Sequence, residues 1–304
     1  MEAYTDFAGV YDTFMDDTPY EEWAEFIEDL IKKYGISKPV RQKKPEALKA
    51  SEKDIQEKDI QEKDTQEKDI QEKDILEQER DMVLDLGCGT GTLTELLYQK
   101  GYDMTGADNS QEMLNIAVNK KQVSGSEILY LCQDMRELDL YSTVGTVISV
   151  CDSLNYLLEE EEVEETFCLV NNYLYPGGIF IFDFNTVYKY ETVIGDATIA
   201  ENREECSFIW ENYYHKEAHV NEYDLTVFVK EGKERELFRR FQETHFQRGY
   251  TLEEMTGFVK KAGMELVVSL DAETHKKPGA KSERIYMVAR EQGKDREQQK
   301  QGTA

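Results

Sequence analysis

The chain has 304 residues, room for one large α/β unit with an elaboration or for two small units. Its formal net charge of −27 sets an acidic field against a phosphate backbone, whose binding rests on lysine and arginine, so no nucleic-acid partner is expected. Five scattered cysteines with no C-x-x-C pair describe neither a disulfide frame nor a zinc site, no stretch approaches a membrane span, and Met1–Asp6 lacks a secretory pattern; a reduced, cytoplasmic protein without a membrane partner is the expectation.

A short helix is predicted from Tyr4 to Met15, followed by an amphipathic helix over residues 19–34. Pro19 suits a first turn, acids follow it, and Trp23, Phe26, Ile27, Leu30 and Ile31 share one face before Gly35 stops the helix. Residues 1–36 thus form a helical N-terminal unit. Residues 37–80 are of another kind: Glu-Lys-Asp-Ile-Gln recurs every five residues from Glu52 to Asp74, once with Thr65 in place of isoleucine. Five residues turn a helix by about 140°, so Ile55, Ile60, Ile70 and Ile75 spiral around the axis and make no apolar stripe. This segment reads as a polar low-complexity insertion, disordered or a frayed helix, without a catalytic role.

Residue 81 begins a regular alternation. Strands are predicted at Met82–Leu86, Asp103–Ala107, Ile128–Cys132, Thr146–Val150 and Gly178–Phe184, with helices at Thr92–Lys100, Gln111–Lys121 and Glu160–Leu174 between them. Pro176-Gly177-Gly178 marks the turn into the fifth strand. That is the rhythm of a parallel, doubly wound sheet, placed over residues 81–200. Residues 201–248 carry strand-like runs at Cys206–Tyr214, His219–Lys230 and Glu236–Gln247, read as a small antiparallel insert with a hairpin at Glu231-Gly-Lys233. Thr251 and Glu254 make a capping box for a helix ending at Gly263, and Met264–Leu270 and Arg284–Ala289 close the core over 249–290. The tail, 291–304, is polar.

Chemistry concentrates in Val83-Leu-Asp-Leu-Gly-Cys-Gly-Thr-Gly91, an apolar strand, an acid and glycines at every second position, with Thr92-Leu-Thr-Glu-Leu-Leu-Tyr98 behind it at helical spacing. Such a loop lets a ligand lie against bare peptide groups. The dinucleotide pattern G-x-G-x-x-G differs, because here the third glycine comes one residue early. Asp85 at the strand end repels a diphosphate and suits a ligand carrying an ammonium group. The pattern favours S-adenosylmethionine over NAD. Asp108, 21 residues beyond Gly87, stands where an acid would grip ribose hydroxyls.

With these residues the chain resembles the class I S-adenosylmethionine-dependent methyltransferases, whose first motif reads V-L-D-x-G-C-G-x-G. The resemblance covers residues 81–185 most fully and 1–34 and 249–290 loosely. It implies a Rossmann-like, doubly wound, mostly parallel seven-stranded sheet carrying the antiparallel insert, with the N-terminal helices as a lid. It assigns Asp85, Gly87, Cys88, Gly89 and Gly91 to the cofactor loop. Asp108, Asn109 and Met113 follow at the second strand end, and Asp134 and Met135 at the third, where the family's aspartate accepts from the adenine amino group. Cys151 would line the cofactor site, Asn155 and Tyr156 the acceptor side. Phe7-Ala-Gly-Val-Tyr-Asp12 resembles the front of small-molecule methyltransferases, and in glycine-methylating relatives an aromatic residue at the place of Tyr11 contacts the cofactor.

The expected reaction is in-line methyl transfer to a small-molecule amine or hydroxyl acceptor. The competing readings are a non-catalytic S-adenosylmethionine-binding sensor or scaffold, and a protein methyltransferase. No general base stands out; Tyr11 and His245 are the candidates, the latter if strand alternation turns it inward. No metal-ligand spacing appears, and the Pro-Pro-aromatic run of adenine-N6 enzymes is missing after the fourth strand. Acceptor identity and oligomeric state are not written in the chain.

Overall fold

The computed structural model describes residues 7–40, 74–232 and 237–294. Most of the repeat, residues 41–73, lies outside the described residues, as do Tyr4 and its neighbours and the end of the tail. Two helices open the described chain, α1 (Ala8–Phe14) and α2 (Tyr20–Tyr34), and residues 74–81 are helical (α3). Then come β1 (Met82–Leu86), α4 (Thr92–Gln99), β2 (Asp103–Asp108), α5 (Gln111–Ser124), β3 (Leu129–Cys132), β4 (Val144–Ser149), α6 (Glu160–Tyr173) and β5 (Leu174–Asn185). After an insert, α7 (Leu252–Lys261), β10 (Met264–Asp271) and β11 (Arg284–Glu291) complete the main sheet.

That sheet has seven strands in the order β10-β11-β5-β4-β1-β2-β3, parallel except for β11, which runs antiparallel to both its neighbours. Strand order reverses direction between β1 and β4, which opens a crevice at their carboxyl ends. Both faces are covered, so the central strands are buried almost throughout. Val83 joins one apolar cluster with Ile27 and Ile31 of α2 and Leu93 and Leu97 of α4. Leu84 and Leu86, pointing the other way, join Phe167 of α6, Phe180 and Phe182 of β5 and Phe258 of α7.

The helices start and stop where their sequences direct. In α2, Ala24, Ile27, Leu30 and Ile31 are buried, acids occupy the first turn and Lys32 and Lys33 the last, an arrangement that complements the helix dipole. Ser110 caps α5 by accepting from the Met113 amide at 3.2 Å. Thr251 and Glu254 form the expected reciprocal box on α7.

The insert is a four-stranded antiparallel sheet, β6 (Thr198–Asn202), β7 (Cys206–His215), β8 (Val220–Lys230) and β9 (Phe238–Arg248), in sequential order. Three of its strands and the β8–β9 hairpin match expectation. The fourth, β6, starts within residues that the sequence reading left in the core. Thr198-Ile-Ala-Glu-Asn is an exposed edge strand without an alternating apolar pattern, so its partnership with β7 carries no local signal. Lys189–Ile194 forms a single π-helical turn, also without one. Pro176-Gly177-Gly178 is not a turn into β5. Leu174 already pairs with Val144, and the register shifts before Ile179 pairs with Thr146, so the triplet is an irregularity inside one long strand.

The insert's inner face carries Tyr223, Leu225 and Val227, packed with Phe208, Trp210 and Phe241 and with Phe7, Val10 and Phe14 of the first helical segment. The α1 helix therefore bridges the two sheets.

Candidate functional site

The carboxyl ends of β1, β2, β3 and β4 open into a cavity of about 560 Å³, within the ~300–1,000 Å³ of small-molecule sites. Asp85, Gly87, Cys88 and Gly89 line it from the first strand end. Asp108, Asn109 and Met113 line it from the second, Asp134 and Met135 from the third, and Cys151 from the fourth. Tyr11 enters from α1. The exceptions among the expected site residues are Gly91, Asn155 and His245, which do not line it.

The loop's backbone explains its glycines. Gly87 has φ +77°, and a Cβ there would sit 2.6 Å from the Ser153 Oγ. Gly91, at φ +72°, starts α4 in the left-handed region, and a Cβ would press on the Tyr130 hydroxyl at 2.5 Å. Gly91 thus shapes the loop from behind. Gly89 is different: at φ +53° its Cβ direction meets nothing within 4 Å.

Two carboxylates converge on this loop. Asp85 is buried, its Oδ2 accepting from the Thr94 hydroxyl at 2.6 Å, and burial together with the neighbouring Asp108 pushes its pKa up to about 7. Asp108 accepts from the Gly89 amide at 2.8 Å and the Ser110 amide at 2.9 Å, so it braces the loop it faces; burial raises its pKa against these bonds. Because Ser110 caps α5, Asp108 has no capping duty. Asp134 is engaged elsewhere than expected. Its Oδ1 accepts from the Arg136 Nε at 2.9 Å and its Oδ2 from the Arg136 Nη2 at 2.6 Å, which holds its pKa down.

Beyond the glycine loop the site is aromatic. Tyr20, Trp23 and Tyr156 line the cavity alongside Tyr11, whose hydroxyl lies 4.0 Å from the Cys151 Sγ. Burial and the nearby Cys151 raise the Tyr20 pKa, and burial beside Asp152 pushes the Cys151 thiol up to about 12. That thiol stays protonated at neutral pH and is no nucleophile. The sequence reading placed Trp23 on the apolar face of its helix. A 3.6-residue period marks a buried face and does not distinguish core from cavity wall.

A buried polar hub, missed in the sequence, holds the end of β4. Cys151 and Asp152 both adopt positive φ, 66° and 56°, unusual for residues with side chains. Their amides donate to the two oxygens of Asp183 at 3.1 and 2.9 Å. Arg284 donates to Asp152 at 2.8 Å and lies 3.5 Å from Asp183, and Gln247 of the insert donates to Asp152 at 2.6 Å. The Asn155 amide group bonds the backbone of Asn185 and Arg248, so it fastens strands together and does not face an acceptor. The lone acid in Ile179-Phe-Ile-Phe-Asp-Phe184 was the available signal for this hub.

His245 does turn inward, and it is 2 % exposed. It is linked to the cavity through Tyr156, whose hydroxyl is 3.1 Å from its Nδ1. His215 pairs with Glu222 on the surface and His219 with Tyr214, away from the cavity lining.

A family model for the methyltransferase domain matches residues 83–178. The chain is 33 % identical to the "Putative methyltransferase YqeM" of Bacillus subtilis (strain 168) over 287 residues, 94 % of this chain and 96 % of that one. Its structure is similar to that of an S-adenosylmethionine-dependent methyltransferase from Clostridium acetobutylicum ATCC 824 (27 % identity, TM-score 0.73, covering 96 % of this chain and all 100 % of the other). The sugar N-methyltransferase KedS8 from Streptoalloteichus sp. ATCC 53650 shares the fold, at 16 % identity, a TM-score of 0.58 and coverage of 82 % and 99 %. Among the described residues no helix is long and apolar enough to cross a membrane. A glycine loop at the switch point of a seven-stranded sheet, and likeness along nearly the whole chain, lead to one conclusion: the chain belongs to the class I S-adenosylmethionine-dependent methyltransferase family, and S-adenosylmethionine is its cofactor.

Proposed function

We propose that the chain transfers a methyl group from S-adenosylmethionine to a small-molecule amine or hydroxyl acceptor. The observation that carries this reading is the enclosure of the cavity. The glycine loop and strand ends form one wall, and Tyr11, Tyr20, Trp23 and Tyr156 from the first two helices and the turn after β4 form the other. Such a deep, walled cleft suits a small acceptor better than a polymer.

The residues present fit the cofactor. Asp85 is a buried carboxylate with no cationic partner among the described residues, and an ammonium group would supply the missing charge. Open space beside Gly89 leaves bare backbone for a ligand. In this reading Asp85, Gly87, Cys88 and Gly89 hold the methionine part and Asp108, Asn109 and Met113 the ribose. Asp134 and Met135 hold the adenine, the Asp134 carboxylate keeping lone pairs for it beside those that Arg136 uses. Cys151 and Tyr11 flank the reacting centre. The cofactor supplies an electrophilic methyl group on a sulfonium. The chain's own task is to align the acceptor with it and exclude water, effects worth up to ~7–11 kcal/mol where alignment is good.

The test is calorimetric titration with S-adenosylmethionine and S-adenosylhomocysteine, with NADH as control, followed by a screen of amines and phenols for acceptor-dependent S-adenosylhomocysteine formation. Binding of the adenosyl pair together with turnover of a small acceptor supports the reading. Binding with no acceptor-dependent turnover overturns it and favours a non-catalytic sensor.

A further inference from the structure

One polar cluster at the cavity has no part in the mechanism given so far. Tyr156 ends the turn Ser153–Tyr156 after β4 and lines the cavity. Its hydroxyl lies 2.8 Å from the Tyr223 hydroxyl and 3.1 Å from the His245 Nδ1. Behind His245, the Glu243 Oε2 stands 3.3 Å from Nε2, at ion-pair distance though without hydrogen-bond alignment. Glu243 and His245 are two residues apart on β9, so strand alternation turns both to the inner face. Both are buried, at 5 % and 2 % exposure, and the Tyr223 ring stacks on the imidazole at 4.8 Å. The other Glu243 oxygen accepts from the Phe7 amide at 2.9 Å, which fixes the carboxylate from the N-terminal segment. Among the described residues, titratable groups face the imidazole from the turn (Tyr156), from β8 (Tyr223) and from β9 (Glu243).

These contacts set a direction. A carboxylate beside Nε2 favours the proton on that nitrogen, which leaves Nδ1 as an acceptor. The Tyr156 hydroxyl then donates to Nδ1, and the Tyr223 hydroxyl donates to the Tyr156 oxygen. A phenol placed between a cavity and a basic nitrogen can pass a proton inward.

Resting on the methyl-transfer reading above, we propose that Tyr156, His245 and Glu243 form a relay that removes the acceptor's proton, with Tyr156 as the catalytic residue and His245 and Glu243 positioned behind it. The lone pair of the acceptor heteroatom forms the new bond to the methyl carbon, and the electron pair of the cleaved bond stays on sulfur. The acceptor's proton passes to the Tyr156 oxygen while the Tyr156 proton passes to Nδ1, giving an imidazolium beside the Glu243 carboxylate. That proton leaves to solvent after turnover. The relay assigns the acceptor to compounds that must lose a proton, such as a phenol, an alcohol or an ammonium.

The experiment has a readout that needs no acceptor. Histidine-¹⁵N NMR of the full chain with S-adenosylhomocysteine, assigned with His245→Gln, should show a neutral imidazole protonated at Nε2. Tyr156→Phe should shift the Nδ1 signal toward that of a free acceptor, and Glu243→Gln should move the tautomer balance away from Nε2–H. Protonation at Nδ1 instead, or a tautomer balance unmoved by Glu243→Gln, overturns the relay whatever the acceptor. With an acceptor in hand, Tyr156→Phe should lower kcat by ~10²-fold or more with cofactor affinity unchanged, and His245→Gln should lower kcat in the same way. A full-rate Tyr156→Phe enzyme would also overturn it. Failure of the acceptor screen alone counts against the methyl-transfer reading and leaves the NMR result to judge the relay.

Discussion

Asp85 has the most perturbed setting of the cofactor-loop carboxylates, and its consequences can be worked through with signs. Its proton is held to about pH 7 in the folded chain against 3.8 ordinarily, so the folded state binds the extra proton between those values. Ligand-free stability from this group therefore falls as pH rises through that window. An ammonium ligand reverses the preference, since it favours the ionised carboxylate. Affinity for S-adenosylmethionine should thus be weaker at pH 6 than at pH 7.5, and Asp85→Asn should flatten the difference; calorimetry at the two pH values decides. Gly87→Val should abolish cofactor binding, because its Cβ would collide with the Ser153 Oγ at 2.6 Å at a backbone angle that disfavours side chains. Asp108→Ala should do the same by freeing the Gly89 and Ser110 amides, with a native circular dichroism spectrum in both variants. Unchanged affinity in both would sink the site assignment. These residues were legible in the sequence because a glycine loop is a local pattern. The engagement of Asp134 by Arg136 was not, since two residues of separation in sequence do not say which way a side chain folds back.

At the scale of the element, α1 is the part most poised to move. It has seven residues, too few to be stable alone, and is held by side chains. Asp12 accepts from the Thr90 hydroxyl at 2.6 Å and pairs with Lys120 at 2.7 Å, which latches the helix to the glycine loop and α5. On the other side Arg203 of the insert bonds Asp16 at 2.7 Å. Hydrogen exchange over residues 8–14 should be faster than over α2 and should slow when S-adenosylhomocysteine binds. Asp12→Ala should raise that exchange and weaken cofactor binding modestly, by up to about fivefold if a partly exposed pair is worth ~1 kcal/mol. Exchange indifferent to ligand would show that α1 is no lid. The two N-terminal helices were visible in the periodicity. Their opposite destinations were not: α2 lies on the main sheet and α1 spans to the insert.

For the whole molecule the decisive structure is the Arg284 hub. One guanidinium on β11 ties the strained end of β4 through Asp152, and β5 through Asp183 and the Asn185 Oδ1 at 3.2 Å. Through Gln247 on Asp152 the antiparallel sheet joins the same hub. Arg284→Met removes one side of a buried ionic group and should cost about 3–5 kcal/mol, read as a lower midpoint in thermal or urea unfolding. An unchanged midpoint would mean that packing alone holds the two sheets together.

The sequence by itself determined the parallel core, the family and most of the strand-end wall of the cavity, because alternating strands and helices and a glycine-spaced loop are short-range patterns set by backbone geometry. The register of β6 against β7, the β5 irregularity at Pro176-Gly-Gly, the Asp152–Asp183–Arg284 hub and the Tyr156–His245–Glu243 line were decided by the tertiary structure. Arg284 lies 132 residues from Asp152, and His245 lies 89 from Tyr156. Contacts at that separation depend on where whole elements pack, and no local periodicity records it.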